Sequence, residues 1–251
     1  MKADRSRLVA GINPVISALR AKAGDIERVL VAQDTRNQRV RDIELMARDA
    51  GVAVISTRRD SLSELTGLDS HQDVVAELSG QVSLDEAGLM TLLDELEETP
   101  LLLVLDGVTD PHNLGACLRT AEAAGVHAVI VPRDRSAGLT PAARKVSAGA
   151  SEVLPLVQVT NLARTLRALK ERGIWLYATS DRADATLYDQ DFAGPAALVM
   201  GSEGEGVRRL TAETCDFLLS IPMAGAIESL NVSVATGVCL FEIRRQRGAR
   251  T

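Results

Sequence analysis

The chain has 251 residues, 46% of them hydrophobic and 25% charged, the balance expected of a soluble globular protein of one or two domains. No apolar run approaches the roughly 20 residues of a membrane span, and the start MKADRSRLVAG has no apolar stretch behind its charges, so it does not read as a signal peptide. The net charge of −6 sits in one short stretch: residues 81–100 hold six acidic residues and no basic one, while residues 1–80 hold 12 of each sign and residues 101–251 hold 16 of each. Both larger pieces are neutral on balance, so charge permits an RNA partner without indicating one.

Only six residues are aromatic, and the core must therefore be built from Leu, Val, Ile and Ala. Cys117, Cys215 and Cys239 are odd in number, far apart and in apolar or helical contexts. They read as reduced core thiols of a cytoplasmic protein, not as a disulfide or metal set.

Residues 11–78 alternate between helix and strand signals. GINPVISALRA predicts a short helix, Arg28–Ala32 a strand, and Asn37–Ala50 a helix with Val40, Ile43, Leu45, Met46 and Ala50 as its apolar set. Val52–Ser56 reads as a second strand, Ser61–Leu68 as a helix with a capping box at Ser61 and Glu64, and Val74–Leu78 as a third strand. His71 and Gln72, just before that strand, read as a solvated turn. Residues 1–79 thus make a small α/β domain of about the minimum size that folds alone. Residues 80–99 are acidic, lack aromatic residues and predict a linker with a helical segment around Leu89–Leu96.

From residue 100 the pattern becomes strand, helix, strand. LLLVLD is a continuous apolar run of the kind buried on both faces of a parallel sheet. A helix follows from Asn113, read as its N-cap, to Ala124; then come the strand VHAVIVP, a helix over Pro141–Ala150, a strand over Val153–Val157 and a helix from Asn161 to Arg172. IWLYA, AALVM and FLLSI supply three further strands. The last helix, Leu230–Gln246, is apolar nearly all the way round through Phe241. A helix with no polar face is normally buried on every side, by its own sheet plus another element or another subunit. The alternation predicts one α/β domain with a mostly parallel sheet over residues 100–251.

Ligands bind beyond the carboxyl ends of the strands in such sheets. Three strand ends stand out: Gly107–Gly115, leading to Arg119; Gly201-Ser-Glu-Gly-Glu-Gly206, leading to Arg208 and Arg209; and Pro222–Asn231, where Ser229, Asn231 and Ser233 crowd the start of the last helix. Each loop alone reads as a tight turn. Together, at the ends of one sheet, they point to a site. The unpaired N–H groups of a helix start favour a polar ligand there, and the glycines around Glu203 let a ligand come close. GSEGEG is not the dinucleotide fingerprint and no phosphate-cradling G-x-x-x-x-G-K-[ST] exists. His112 and His127 lack partner spacing for a metal or a nucleophile.

LDGVTDPHNLGACLRTAEAAGV, LVMGSEGEGVRRL and IPMAGAIESLNVSVATGVCLFE resemble, in order and spacing, the three motifs of the SpoU (TrmH-like) branch of the SPOUT RNA methyltransferases. AGINPVISAL and SHQ resemble the small substrate-binding domain of the same proteins, so the likeness spans essentially the whole chain. The resemblance implies an α/β fold with a C-terminal domain closed by a deep trefoil knot, an L30e-like N-terminal domain and a homodimer. It implies 2′-O-methylation of a ribose in RNA, most of all a guanosine of 23S rRNA, with S-adenosyl-L-methionine as donor and neither metal nor membrane. The alternatives are the same chemistry on tRNA or another rRNA nucleotide, or a non-catalytic RNA-binding or ribosome-assembly factor on the same fold.

The family's catalytic positions fall on Asn113, Arg119, Glu203, Ser229 and Asn231, and its donor-binding positions on Gly201, Ile221, Met223 and Leu230. Arg119 is implied either as the base for the ribose 2′-OH or as an electrostatic clamp on the nascent alkoxide and adjacent phosphate. A guanidinium stays protonated up to a pH of about 12, so only the clamp needs no local neutralisation. Around these loops, Arg133, Arg135, Arg144, Lys145, Arg208 and Arg209 are expected to contact the RNA backbone. Three positions depart from the family pattern: Ser17 stands where Glu is common, Asp73 where Gly is usual, and Glu228 precedes Ser229.

Overall fold

A computed structural model describes residues 7–79, 83–227 and 229–248; Glu228 lies outside the described residues. In chain order the elements are β1 (Leu8–Ala10), α1 (Ile12–Lys22), β2 (Ile26–Ala32), α2 (Gln38–Asp49), β3 (Ala53–Thr57), α3 (Arg59–Thr66) and β4 (Val74–Leu78). Then follow α4 (Glu86–Glu95), β5 (Leu101–Asp106), α5 (Pro111–Ala123), β6 (Ala128–Pro132), α6 (Pro141–Val146), α7 (Ala150–Val153), β7 (Leu156–Val159) and α8 (Leu162–Glu171). The chain ends with β8 (Trp175–Thr179), β9 (Ala196–Gly201), α9 (Arg209–Thr214), β10 (Phe217–Leu219) and α10 (Val232–Gly248). Two compact units result: the described residues up to 79 with Gly138–Val153, and Ser83–Ala137 with the chain from Leu154 onward. Among the described residues no helix is long and apolar enough to cross a membrane.

The first unit holds a four-stranded sheet in the order β1-β4-β2-β3. β2 and β3 are parallel, and β4 runs antiparallel to both β1 and β2. β1, only three residues after a charged start, carries too little periodicity to read from sequence. α3 begins two residues before the expected capping box: Arg58 is its N-cap without a side-chain bond, and Ser61 lies inside the helix. The expected solvated turn holds for Gln72, which is exposed in a turn with φ +55°, but not for His71. The His71 ring is fully buried; its Nδ1 accepts from the Asp73 N–H at 3.1 Å and its Nε2 lies 3.2 Å from the Ser63 hydroxyl, while Gln72 Oε1 accepts from the Ile12 N–H at 3.0 Å. Burial lowers the His71 pKa. Asp73 has φ +66°, a left-handed conformation that accounts for the glycine usual there, and its carboxylate accepts from the Thr35 hydroxyl at 3.1 Å.

The expected single helix over Pro141–Ala150 is two short helices, α6 and α7, broken where Ala148 and Gly149 take φ +55° and +106°. Both pack in the first unit, α6 on β1 and α7 on α1. Gly149 faces Ser17 so closely that a Cβ there would meet the Ser17 hydroxyl. Glu152 on α7 is fully buried; it pairs with the equally buried Arg144 of α6, with Lys22 of α1 at 2.9 Å, and accepts from the Ser151 hydroxyl at 2.8 Å. Burial alone pushes the Glu152 carboxyl up, but Arg144 and Lys22 outweigh it and hold it below the usual range. Its contribution is therefore full above the unfolded-state pKa of about 4.3 and is lost as the pH falls through the lower folded value. Glu152→Ala removes the carboxylate buried between Arg144 and Lys22 and should destabilise the protein by ~3–5 kcal/mol, read by denaturant titration at pH 7.

The second unit is built on a six-stranded sheet in the order β10-β8-β9-β5-β6-β7, with every adjacent pair parallel. All six residues of β5 are buried, as its uninterrupted apolar sequence requires. Leu102 and Val104 face a cluster with Leu89 of α4 and Leu162, Leu166 and Leu169 of α8. Strand alternation leaves Leu101, Leu103 and Leu105 for the opposite face. α10 packs on β9 and on α5, where Cys117 Sγ lies 3.6 Å from the Thr236 hydroxyl. The acidic stretch is no free connector from Ser83 onward: Asp85 caps α4, Leu84 bridges to Val157 of β7, and Leu89 is fully buried. The three thiols are free; burial pushes Cys117 up to about 11 and Cys215 and Cys239 up to about 12.

α10 does not bury all its apolar residues within one chain. Val234 and Phe241 are each 52% exposed, and one helical face is left uncovered. Its far end is anchored by Arg247, which donates to the carbonyls of Thr99, Pro100, Phe192 and Gly194, and by Gln246, which bridges Gln190 and Phe192.

Candidate active site

The strands of the second unit are parallel, so their carboxyl ends fall on one edge, and the turns after β8, β9 and β10 open there onto a single cleft of about 720 Å³. Its walls are Thr179–Arg182 after β8, Met200–Val207 after β9, Leu219, Ile221 and Met223 after β10, and Ser229–Val232 at the start of α10. The β9 turn is a tight loop in which Ser202 and Gly206 exchange backbone hydrogen bonds of 3.1 and 3.0 Å. Gly204 and Gly206 take φ +87° and +69°, as this reversal demands. Gly201 is required for a different reason: a Cβ there would lie 2.0–2.3 Å from the backbone of Gly206 and Val207.

One carboxylate oxygen joins three loops. Glu203 Oε1 accepts from Asn113 Nδ2 at 3.1 Å and from Asn231 Nδ2 at 2.5 Å, and Asn113 Oδ1 accepts from the same Asn231 amide at 3.0 Å. Asn231 Oδ1 caps α10, accepting from the Ser233 N–H at 2.9 Å and its hydroxyl at 2.6 Å. The three motif loops, up to 118 residues apart in sequence, therefore meet at one point on the rim of the cleft.

Gly201, Ile221, Met223 and Leu230 all line the cleft, as do Glu203, Ser229 and Asn231. Asn113 reaches the rim through its bonds to Glu203 and Asn231, but it is not the helix cap. Asp110 caps α5 by accepting from the His112 N–H at 2.9 Å, because Pro111 starts the helix one residue later, and Asn113 lies within the first turn. Arg119 is exposed on α5 and is not among the lining residues; among the described residues it has no carboxylate within ion-pair distance.

The expected RNA contacts divide. Arg133 and Arg135 follow β6 and are exposed, and Arg209 is exposed while pairing with Glu213 at 2.7 Å. Lys145 donates to the Ser70 hydroxyl. Arg144 must be withdrawn as a surface contact: it is fully buried against Glu152, and the amphipathic spacing of so short a helix gave no sign of its inward face. Arg208 is half-exposed and bound to Asp106. Two features escaped the sequence reading. Asp106 is a fully buried carboxylate, signalled only as the one polar residue ending an apolar run. The wall Thr179–Arg182 follows β8 without a glycine-rich signature. Among the described residues no three His, Cys, Asp or Glu side chains converge as a metal site needs.

Comparison with known proteins agrees with this geometry. A model described as the SpoU rRNA Methylase family matches residues 100–241, and one described as RNA 2′-O ribose methyltransferase substrate binding matches residues 8–81. The chain is 55% identical to the 23S rRNA (guanosine-2′-O-)-methyltransferase RlmB of Ralstonia nicotianae, over 97% of each chain. It is 51% identical to the protein of that name from Yersinia pestis, over 98% of this chain and 99% of the other. The SpoU methyltransferase AviRb of Streptomyces viridochromogenes, solved in complex with AdoMet, matches with a TM-score of 0.81 and 28% identity over 96% of this chain and 90% of that one. With its three motif loops meeting over one cleft and a family match over more than half its length, the chain belongs to the SpoU rRNA methylase family.

Proposed function

We propose that this protein transfers a methyl group from S-adenosylmethionine to the ribose 2′-oxygen of a guanosine in 23S rRNA. The observation that carries the reading is the meeting of Asn113, Glu203 and Asn231 at the rim of a cleft sized for a small-molecule donor. The fit is good: Met200, Leu219, Ile221 and Val232 give apolar walls, while the glycine-rich β9 turn brings backbone polar groups to the surface. Gly201, Ile221, Met223 and Leu230 would hold the donor. When bound, S-adenosylmethionine supplies an electrophilic methyl on a sulfonium.

The protein's part is orientation and charge. Asn113, Glu203 and Asn231 fix the relative position of the three loops, and Ser229 offers a hydroxyl at the cleft wall. Arg119, exposed and without a carboxylate partner among the described residues, acts as the clamp on the charge that develops at the 2′-oxygen. Arg133, Arg135, Lys145 and Arg209 take the phosphates of the RNA. Residues 1–79 form the L30e-like part that recognises the RNA, and residues 100–251 perform the transfer in the cytoplasm. The family match over residues 100–241 supports a trefoil knot in that part. The uncovered face of α10 supports a homodimer seated on Val234 and Phe241. Phe241→Glu should weaken such a dimer by about 30-fold or more, read by sedimentation equilibrium.

Calorimetric titration with S-adenosylmethionine, and nucleotide-resolution mapping of 2′-O-methyl groups in rRNA and tRNA from a deletion strain, test the function. Loss of a single 23S guanosine methyl is the expected result. No donor binding would point to a non-catalytic RNA-binding factor, and a lost tRNA methyl would move the substrate.

A further inference from the structure

Asp106 ends β5 at the centre of the sheet, fully buried, with both carboxylate oxygens turned to one residue. Its Oδ1 accepts from Arg208 Nε at 2.6 Å and also meets Nη2, and its Oδ2 accepts from the backbone N–H of Arg208 at 3.2 Å. Arg208 closes the β9 turn whose other members are Gly201, Ser202, Glu203 and Gly206. A buried carboxylate holding both the guanidinium and the main chain of one residue fixes that residue in position and direction, which a single hydrogen bond does not.

The chain of contacts continues to the rim. The turn is closed by the Ser202–Gly206 backbone pair, and its outermost carboxylate, Glu203, receives Asn113 and Asn231. Asn113 belongs to the loop and helix that follow Asp106 itself, so the carboxylate at the end of β5 and the amide on α5 hold the β9 turn from two sides. A turn rich in glycine has little stiffness of its own, so its geometry must come from such outside ties. Arg208 is correspondingly poorly placed to serve RNA: its guanidinium already faces a full counter-charge.

Resting on the methyltransferase reading above, we infer that Asp106 and Arg208 are a pair of positioning residues that set the β9 turn, and with it Glu203 and the donor wall, and that Arg208 is not an RNA contact. Either substitution breaks the side-chain pair, while the main-chain N–H at position 208 can still donate to an oxygen at position 106, so the turn loosens in the same way. The two single variants and the double variant should then share one defect, because residues acting as a unit are not additive.

The test compares wild type with Asp106→Asn, Arg208→Gln and the double variant, on 23S rRNA from a strain lacking the enzyme. We expect kcat to fall about 10- to 100-fold, equally in all three variants, since displacements of about 1 Å at a reacting centre cost that much. The donor Kd should rise together in all three, while KM for RNA and its salt dependence stay at the wild-type value. Arg208→Lys, which keeps a cation opposite Asp106, should recover part of kcat. Arg208→Gln alters a half-exposed side chain, so a folding defect in Asp106→Asn would not remove the test. Wild-type kcat in Asp106→Asn, multiplicative losses in the double variant, or a salt slope reduced by about one in Arg208→Gln would each overturn the pairing. Absence of wild-type methylation would sink the proposed function instead, while a common shift in donor affinity across the variants would still stand for the pair.

Discussion

Arg119→Ala should lower kcat for RNA methylation by about 10²–10⁴-fold and leave the affinity for S-adenosylmethionine within about threefold of wild type. The reason is positional. Arg119 sits on α5, outside the residues that line the donor cleft, so its removal takes nothing from the donor's walls. Six residues earlier the same helix presents Asn113 to Glu203, which places the guanidinium on the element tied most directly to the rim. A clamp and a base differ in what Lys can restore. Arg119→Lys keeps a cation and should recover part of the rate if charge on the 2′-oxygen is what the residue meets. Single-turnover methylation with calorimetric donor binding measures both quantities, and a fully active Arg119→Ala protein would remove the residue from the mechanism.

Gly201→Ala should have the opposite signature, with donor binding failing first. The added Cβ would lie 2.0 Å from the Gly206 carbonyl carbon and 2.1 Å from the Val207 nitrogen, both backbone atoms that no rotamer change can move aside. The β9 turn must open by more than an ångström, taking the wall of the cleft and Glu203 with it. Overpacking of this kind costs about 1–3 kcal/mol, so we expect the donor Kd to rise about 10- to 100-fold and thermal stability to fall. Unchanged donor affinity would mean that the turn does not form the donor's wall. Gly204, whose missing Cβ would meet nothing within 4 Å, is the contrasting position: there the strain is in the φ of +87° alone.

Much of the frame could be read from the amino-acid order because its signals are local. LLLVLD is buried throughout, Asn37 and Asn161 cap α2 and α8 as their side chains predict, and the last helix begins within two residues of its expected start. What escaped depends on partners far away in the chain. Ser61 and Glu64 have the spacing of a capping box, yet Arg58 and Arg59 already start the helix, so the box has no helix end to cap. Asn113 has a good N-cap side chain, but Asp110 and Pro111 together make the stronger start. Arg144 looks like any surface arginine until Glu152, eight residues on, is seen buried beside it. At the site, the motifs placed Gly201, Glu203, Ser229 and Asn231 on one cleft. Asp106 stands inside the first motif, but its burial and its partner Arg208 are not legible there, since an acidic residue after an apolar strand is usually just where the chain leaves the sheet.

The detour of Gly138–Val153 bears on how this protein can be divided. The first unit is not contiguous in sequence: it borrows a stretch lying between two strands of the second unit's sheet. A fragment truncated near residue 79 would keep Ser17 and Lys22 but lose the Gly149 and Glu152 they meet. A fragment beginning near residue 100 would expose Arg144 and Glu152 with no α1 or β1 to bury them. Recombining halves of related enzymes at the acidic stretch therefore carries a hidden mismatch, because the N-terminal half and the borrowed stretch must come from the same parent.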